Sequence, residues 1–187
     1  MAEKKIRNVF IAHGTDHTSL RELKNLLETF GFNPIILHEQ PNKGMTLIEK
    51  LEKYSDVSFA FIILTPDDVG LGKIEGIRVV SKAMGKNNPT QEEINKFIIS
   101  NPQESAIMSM TLLSLYKDRA RQNVILEFGY LIGKLGRGNV CCLYKGNIEL
   151  PSDLHGVCYL HFENSIMEVR KLILQELAEE RFIQISI

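Results

Sequence analysis

Glu127 is the one charged residue among the twelve that separate Arg121 from Lys134, and it is set among Val124, Ile125, Leu126, Phe128, Tyr130, Leu131 and Ile132. Removing a carboxylate from water is costly unless it is paired, hydrogen-bonded or neutralised. Such an acid is either half of a buried ion pair, with Arg121 or a residue of the preceding insertion as partner, or a group held ready for a ligand or a reaction. Gly129 and Gly133, four residues apart, permit close backbone approach on one face of the same helix. Arg119 and Arg121 precede that helix and Asn123 follows them. Helix N-terminal amides favour an anion. Two arginines there repel each other and the helix dipole, unless a phosphate or carboxylate joins them or the turn is simply solvated.

Two further clusters stand beside apolar runs. His13, Gly14, Thr15 and Asp16 follow the run 7–12, and Thr65, Pro66, Asp67 and Asp68 follow the run 58–65. His13 reads equally as a loop histidine bonded to backbone or as a site group, and Asp67 and Asp68 also suit a turn or a helix cap. No Walker A spacing is present, since "GLGKIEG" has neither the GxxxxGK[ST] pattern nor a strand directly before it. No GxGxxG follows the first strand either, which disfavours a standard dinucleotide loop. Cys141, Cys142 and Cys158 lack CxxC spacing. They are expected to be reduced thiols in core strands of a cytoplasmic protein, and no metal site is expected.

The elements that must position these residues alternate. Strands are expected at 7–12, 33–38, 58–65, 139–144 and 156–162. Helices are expected from a Ser19/Glu22 capping box to Gly31, from a Thr46/Glu49 box with Leu47, Ile48 and Leu51 inward, over about 119–135, and from Ser165 to about Phe182. Residues 70–117 break the alternation with helical pieces such as 91–100 and 104–116, and read as a helical insertion. Five apolar strands alternating with helices imply an α/β fold: a flavodoxin-like parallel sheet of order 2-1-3-4-5 with helices on both faces. Ligands of such sheets sit beyond the carboxyl ends of the strands, where the clusters above are expected to converge.

Composition excludes several classes. The 187 residues carry a formal net charge of −1, so no global field favours nucleic acid or an acidic membrane. No apolar run approaches the roughly 20 residues of a membrane span. The opening residues lead into a strand pattern without a signal-peptide core.

The segments "VFIAHG", "GFNPIILHEQPNKGMTLIEKLEKYS", "FIILTPDDVG", "RARQNVILEFGYLIGKLGR", "LYKG" and "ELPSDLHGV", in that order, resemble the bacterial TIR-like domains regarded as nucleotide-binding effector modules of anti-phage signalling. The resemblance covers most of residues 6–160, while 72–116 departs from it and the tail after 163 is generic. It implies a single TIR-like domain over 1–187 and NAD⁺ glycohydrolase activity, with NAD⁺ as substrate and no separate cofactor. The carried-over catalytic residue is Glu127, and the nucleotide pocket would involve His13, Gly14, Thr15, Asp67, Asp68, Arg119, Arg121 and Asn123. It also implies self-assembly through TIR–TIR contacts, assisted by the loop "HEQPNKG", and a possible sensor partner. Two other functions stay open. One is N-glycosyl transfer or hydrolysis on nucleosides, because 2-deoxyribosyltransferases are similar in fold and also carry a helix glutamate. The other is a non-catalytic TIR adaptor or nucleotide-binding module.

Overall fold

The computed structural model describes residues 7–153 and 156–179. The chain divides into two compact units, one formed by 1–68 with 119–187 and the other by 69–118.

The first unit is built on strands β1 (Arg7–His13), β2 (Phe32–Ile36) and β3 (Phe59–Leu64). Two more strands, β6 (Val140–Lys145) and β7 (Cys158–Phe162), complete its sheet; β4 and β5 belong to the ribbon described below. All neighbouring pairs are parallel and the order is β2-β1-β3-β6-β7, which over the five strands of this sheet is 2-1-3-4-5. Alternate residues of each central strand feed opposite faces, as strand geometry requires. Val9, Ile11, Phe59, Phe61 and Ile63 meet Leu20, Leu23, Leu27 and Ile173 on one side. Phe10, Ala12, Ala60, Ile62 and Leu64 meet Leu51, Val124, Phe128 and Leu131 on the other. Coverage on both faces is why β3 is apolar throughout and β1 is apolar from Val9 to Ala12.

Helix α1 (His17–Thr29) begins two residues before Ser19. Asp16 is its cap: it accepts the Thr18 and Ser19 amides at 3.0 Å each and pairs with Lys145 at 2.7 Å. Ser19 is therefore not the cap, and its expected partner Glu22 reaches instead to Ser165 Oγ at 2.9 Å and the Ile166 amide at 2.8 Å. Helix α1 closes at Gly31, whose φ of +79° is the left-handed conformation that glycine adopts cheaply. Helix α2 (Leu47–Tyr54) has the expected Thr46/Glu49 capping box. Its inward stripe is Leu47, Lys50, Leu51 and Tyr54, so Ile48 lies off the stripe and is 43% exposed rather than inward. Strand β2 ends two residues earlier than expected, because the chain turns into a 3₁₀ helix at Leu37–Glu39. Its Pro34 is tolerated on an edge strand.

Helix α6 (Gln122–Leu135) begins three residues later than expected, with Arg121 as the extended residue before it. A 3₁₀ turn at Ile166–Val169, capped by the expected Ser165/Glu168 box, leads into α7 (Arg170–Glu179). The expected end of this helix near Phe182 lies outside the described residues.

The second unit holds α3 (Lys73–Met84), α4 (Gln91–Ser100) and α5 (Pro102–Ser114). A two-stranded ribbon of β4 (Asp68–Gly70) and β5 (Lys117–Arg119) forms where the chain enters and leaves it. Helix α4 coincides with the expected helical piece 91–100 and starts with a Thr90/Glu93 capping box.

Candidate functional site

The parallel strands deliver the ends of β1 and β2 to one edge, and α6 enters the same edge from its N-terminus. A cleft of about 430 Å³ opens there. His13, Gly14 and Thr15 from the end of β1 line it, with His17 from the first turn of α1. The 3₁₀ turn after β2 contributes His38, the following loop Asn42, and α2 Leu47 and Lys50. Helix α6 supplies Arg121, Asn123, Val124 and Glu127.

Glu127 is held at this wall because its neighbours on α6 are committed elsewhere. Val124, Phe128 and Leu131 are buried against the sheet, which sets the rotation of the helix and turns the intervening glutamate to the cleft. Glu127 is 9% exposed, and among the described residues no hydrogen bond or ion pair within 4 Å satisfies its carboxylate. Burial raises its pKa to about 7, and the positive charge of Arg121 only partly offsets that. Near neutral pH the carboxyl therefore stands about half ionised. A cation arriving in the cleft would complete its ionisation.

Positive and neutral polar groups surround it. Lys50 is a buried lysine whose Nζ donates to the Gln40 carbonyl at 2.9 Å. One hydrogen bond leaves two ammonium protons unassigned by that contact. His13 Nε2 and His38 Nδ1 lie 2.9 Å apart, and the His17 ring stands edge-on to His13 with centroids 5.7 Å apart. Burial, then the neighbouring charge of His38, lowers the His13 pKa to about 4, so this imidazole is neutral at physiological pH. Among the described residues no grouping of three or more His, Cys, Asp or Glu could hold a metal ion.

Asp67 has a structural place beside the cleft. Its carboxylate accepts the Thr15 amide at 3.2 Å, the Thr15 hydroxyl, and the Thr65 hydroxyl at 3.0 Å. It thereby clamps the loop after β1. A Cβ added to Gly14 would overlap this carboxylate, so the clamp requires glycine there. Asp68 belongs to the ribbon strand β4 and is not among the cleft-lining residues. Arg119 is diverted as well: it belongs to β5, pairs with Glu149, and lines a separate depression of about 440 Å³ with Leu150 and Pro151. Of the nine residues expected at the site, the cleft brings together His13, Gly14, Thr15, Arg121, Asn123 and Glu127.

His17, His38, Asn42 and Lys50 were missed by sequence reasoning. The strand-end rule that selected His13 also selects His38, because both follow parallel strands that end at the same edge. Lys50 had no comparable signal. Its inward position emerges only when α2 docks with Leu47 and Leu51 against the core.

Comparison with known proteins agrees with this architecture. A family model described as "CAP12/Pycsar effector protein, TIR domain" matches residues 8–164, from the first strand through the fifth. The chain is 39% identical over 173 residues to the uncharacterized protein YuaY of Escherichia coli (strain K12), covering 92% of this chain and 45% of that one. It is 34% identical over 172 residues to protein tirC of Dictyostelium discoideum, covering 88% and 69% respectively. A shorter stretch, 39% identical over 49 residues, matches CD-NTase-associated protein 12 of Flavobacterium daejeonense, covering 26% of this chain and 16% of that protein. The chain thus spans under half the length of YuaY and about two thirds of tirC. Since the family match runs the whole length of the five-stranded sheet and takes in every residue of the cleft, the chain belongs to the TIR-domain family of CAP12 and Pycsar effectors.

Proposed function

We propose that the chain is an NAD⁺ glycohydrolase that breaks the bond between ribose C1′ and the nicotinamide nitrogen, acting in anti-phage defence after self-assembly. The observation that supports this reading best is Glu127: a carboxylate nine-tenths buried, facing a cleft, and without a hydrogen bond or close ion pair among the described residues. Pure scaffolding has no use for so costly a group. The cleft volume lies within the range of small-molecule sites, roughly 300–1,000 Å³.

The chemistry requires little more. When the C1′–N bond breaks, its electron pair returns to the pyridinium nitrogen, and nicotinamide leaves as a neutral molecule. No general acid is needed, so the second carboxylate of ordinary glycosidases has no counterpart to supply. Positive charge develops on the ribose, where Glu127 in its ionised form stabilises it electrostatically and hydrogen-bonds the ribose hydroxyls. The apolar neighbours Val124 and Leu47 exclude water and strengthen that attraction. Water then adds to C1′ and releases a proton, giving ADP-ribose. Lys50 and Arg121 are the cations placed to hold the two phosphates, and Asn42 and Asn123 offer neutral hydrogen-bonding groups.

Nicotinamide release from NAD⁺, followed by chromatography at high protein concentration with a crowding agent, tests the proposal. Release by wild type and none by Glu127→Gln is the expected result. Equal release by both removes Glu127 from the mechanism. Cleavage of nucleosides in place of NAD⁺ would reassign the chain to N-glycosyl transfer or hydrolysis. Binding of nucleotide with no cleavage under any condition would make it a binding or adaptor module.

A further inference from the structure

Cys141 and Cys158 face each other across the last two strands of the sheet. They are register partners on the parallel pair β6 and β7, so their side chains leave the same face, and their sulfurs stand 3.6 Å apart. At that distance the sulfurs touch, with no room for another atom between them. Neighbouring strands run about 4.8 Å apart. That lies inside the roughly 4.4–6.8 Å between α-carbons that a disulfide spans. The sulfurs need to approach by only about 1.5 Å to reach the roughly 2.05 Å of a disulfide. Strand β7 can supply that movement, because it is an edge strand of the described sheet and has β6 as its one neighbour there.

The pleat excludes the third cysteine. Cys142 leaves the opposite face of β6, into the core that holds Ile62 and Phe128. The paired sulfurs are also placed differently from each other. Cys141 is fully buried, whereas Cys158 is only partly buried and borders the core. Cys141 donates its S–H to the Cys158 sulfur. That bond, and then burial, push the Cys141 thiol up, so it keeps its proton. A small oxidant therefore meets Cys158 first, with a second thiol in place behind it to resolve the product.

We infer that Cys158 and Cys141 form a peroxide-responsive thiol pair, in which Cys158 takes the oxidant and Cys141 closes a cross-strand disulfide. The Cys158 sulfur attacks a peroxide oxygen, the O–O bond breaks, and the other oxygen leaves with the thiol proton as water. The product is a sulfenic acid on Cys158. The Cys141 sulfur then attacks the Cys158 sulfur, the S–O bond breaks, and the hydroxyl leaves with the Cys141 proton as a second water. Two thiols are oxidised by one electron each and one peroxide is reduced by two. The inference does not rest on the proposed NAD⁺ cleavage.

The test treats the reduced full chain with hydrogen peroxide, digests it without reductant, and analyses the peptides by mass spectrometry. Trypsin cuts after Arg137, Lys145 and Arg170, so Cys141 and Cys158 fall on peptides 138–145 and 146–170. The expected result is a chain whose intact mass stays that of a monomer and whose two peptides are joined, lighter by two hydrogens than their sum. The link should form in wild type and Cys142→Ala alike, and dithiothreitol should release it. Dimedone, which captures sulfenic acids, should label position 158 at least about tenfold more in Cys141→Ser than in wild type, because the resolving sulfur is gone. Circular dichroism checks that the variants are folded; if Cys141→Ser is not, wild type and Cys142→Ala decide the matter. Three intact thiols, after a peroxide treatment that oxidises a free cysteine peptide, overturn the inference. A link lost in Cys142→Ala, a link found only between two chains, or dimedone labelling unchanged in a folded Cys141→Ser overturns it equally.

Discussion

Glu127→Gln should make this protein more stable, and by an amount that depends on pH. Burial raises the Glu127 pKa from 4.5 to about 7. The folded state therefore binds this proton more tightly than the unfolded chain does. Below pH 4.5 both states are protonated and the residue is neutral to stability. As pH rises through the interval from 4.5 to about 7, the unfolded chain has lost its proton while the folded state retains it, and stability falls. Above about 7 the full cost is present. A shift of this size corresponds to roughly 3 kcal/mol. Glutamine is nearly isosteric and has no charge to desolvate, so the variant escapes that cost. For a chain of this length 1 kcal/mol moves the melting temperature by about 2–4 °C, so the variant should melt roughly 6–12 °C higher at pH 8. At pH 4 the difference should nearly vanish. Thermal unfolding of wild type and Glu127→Gln from pH 4 to 8 is the assay. A variant less stable than wild type at pH 8 would mean that the carboxylate is stabilised by a partner such as Arg121. A difference that does not change with pH would mean that Glu127 does not titrate in this interval. Either result refutes the reasoning from burial.

Other expectations can be checked in the same preparations. If the ionised form of Glu127 serves the reaction, kcat/KM for nicotinamide release, which reports the unliganded enzyme, should rise about tenfold between pH 6 and pH 8 and then level off; a kcat/KM flat over that range excludes this role. Gly14→Ala forces a Cβ onto the Asp67 carboxylate and breaks its hold on Thr15, which should cost about 1–3 kcal/mol in denaturant unfolding; a change within 0.5 kcal/mol would show that the clamp yields freely. Asp16 is opposed by burial, but its bonds to Lys145 and to Ser19 bring its pKa from 3.8 down to about 2. It should contribute about 2 kcal/mol above pH 3.8, lost as pH falls through 2. Asp16→Asn keeps the helix cap while removing the ion pair, so it should lose that increment at pH 7 and none at pH 1.5, as measured by urea unfolding.

Much of this protein is written in its local sequence. Strand β3 is apolar at every position, and β1 over Val9–Ala12, because both of their faces are covered, so these runs announce a parallel sheet without further information. The Thr46/Glu49 and Ser165/Glu168 boxes form as spaced, since each needs only a four-residue stretch to satisfy its own amides. Glu127 stands out for a similarly local reason, being a lone carboxylate where every nearby side chain prefers to leave water. Membership of the family also follows from short segments read in order.

Tertiary packing decided what competing partners did. Ser19 and Glu22 have the spacing of a capping box, yet Asp16, anchored by Lys145 of β6, takes the cap, and Glu22 is drawn to the turn before α7. Arg119 and Arg121 look equivalent beside the helix, but ribbon pairing carries Arg119 to Glu149 and leaves Arg121 in the cleft. Lys50 becomes a site residue because Leu47 and Leu51 dock α2 with that face inward, and no pattern within eight residues records where a helix will dock. Sequence determines which residues are costly to bury and which turns close on themselves. The assembled sheet determines which distant groups share an edge, because that depends on long-range burial, summed over the whole core, outweighing any single local hydrogen bond.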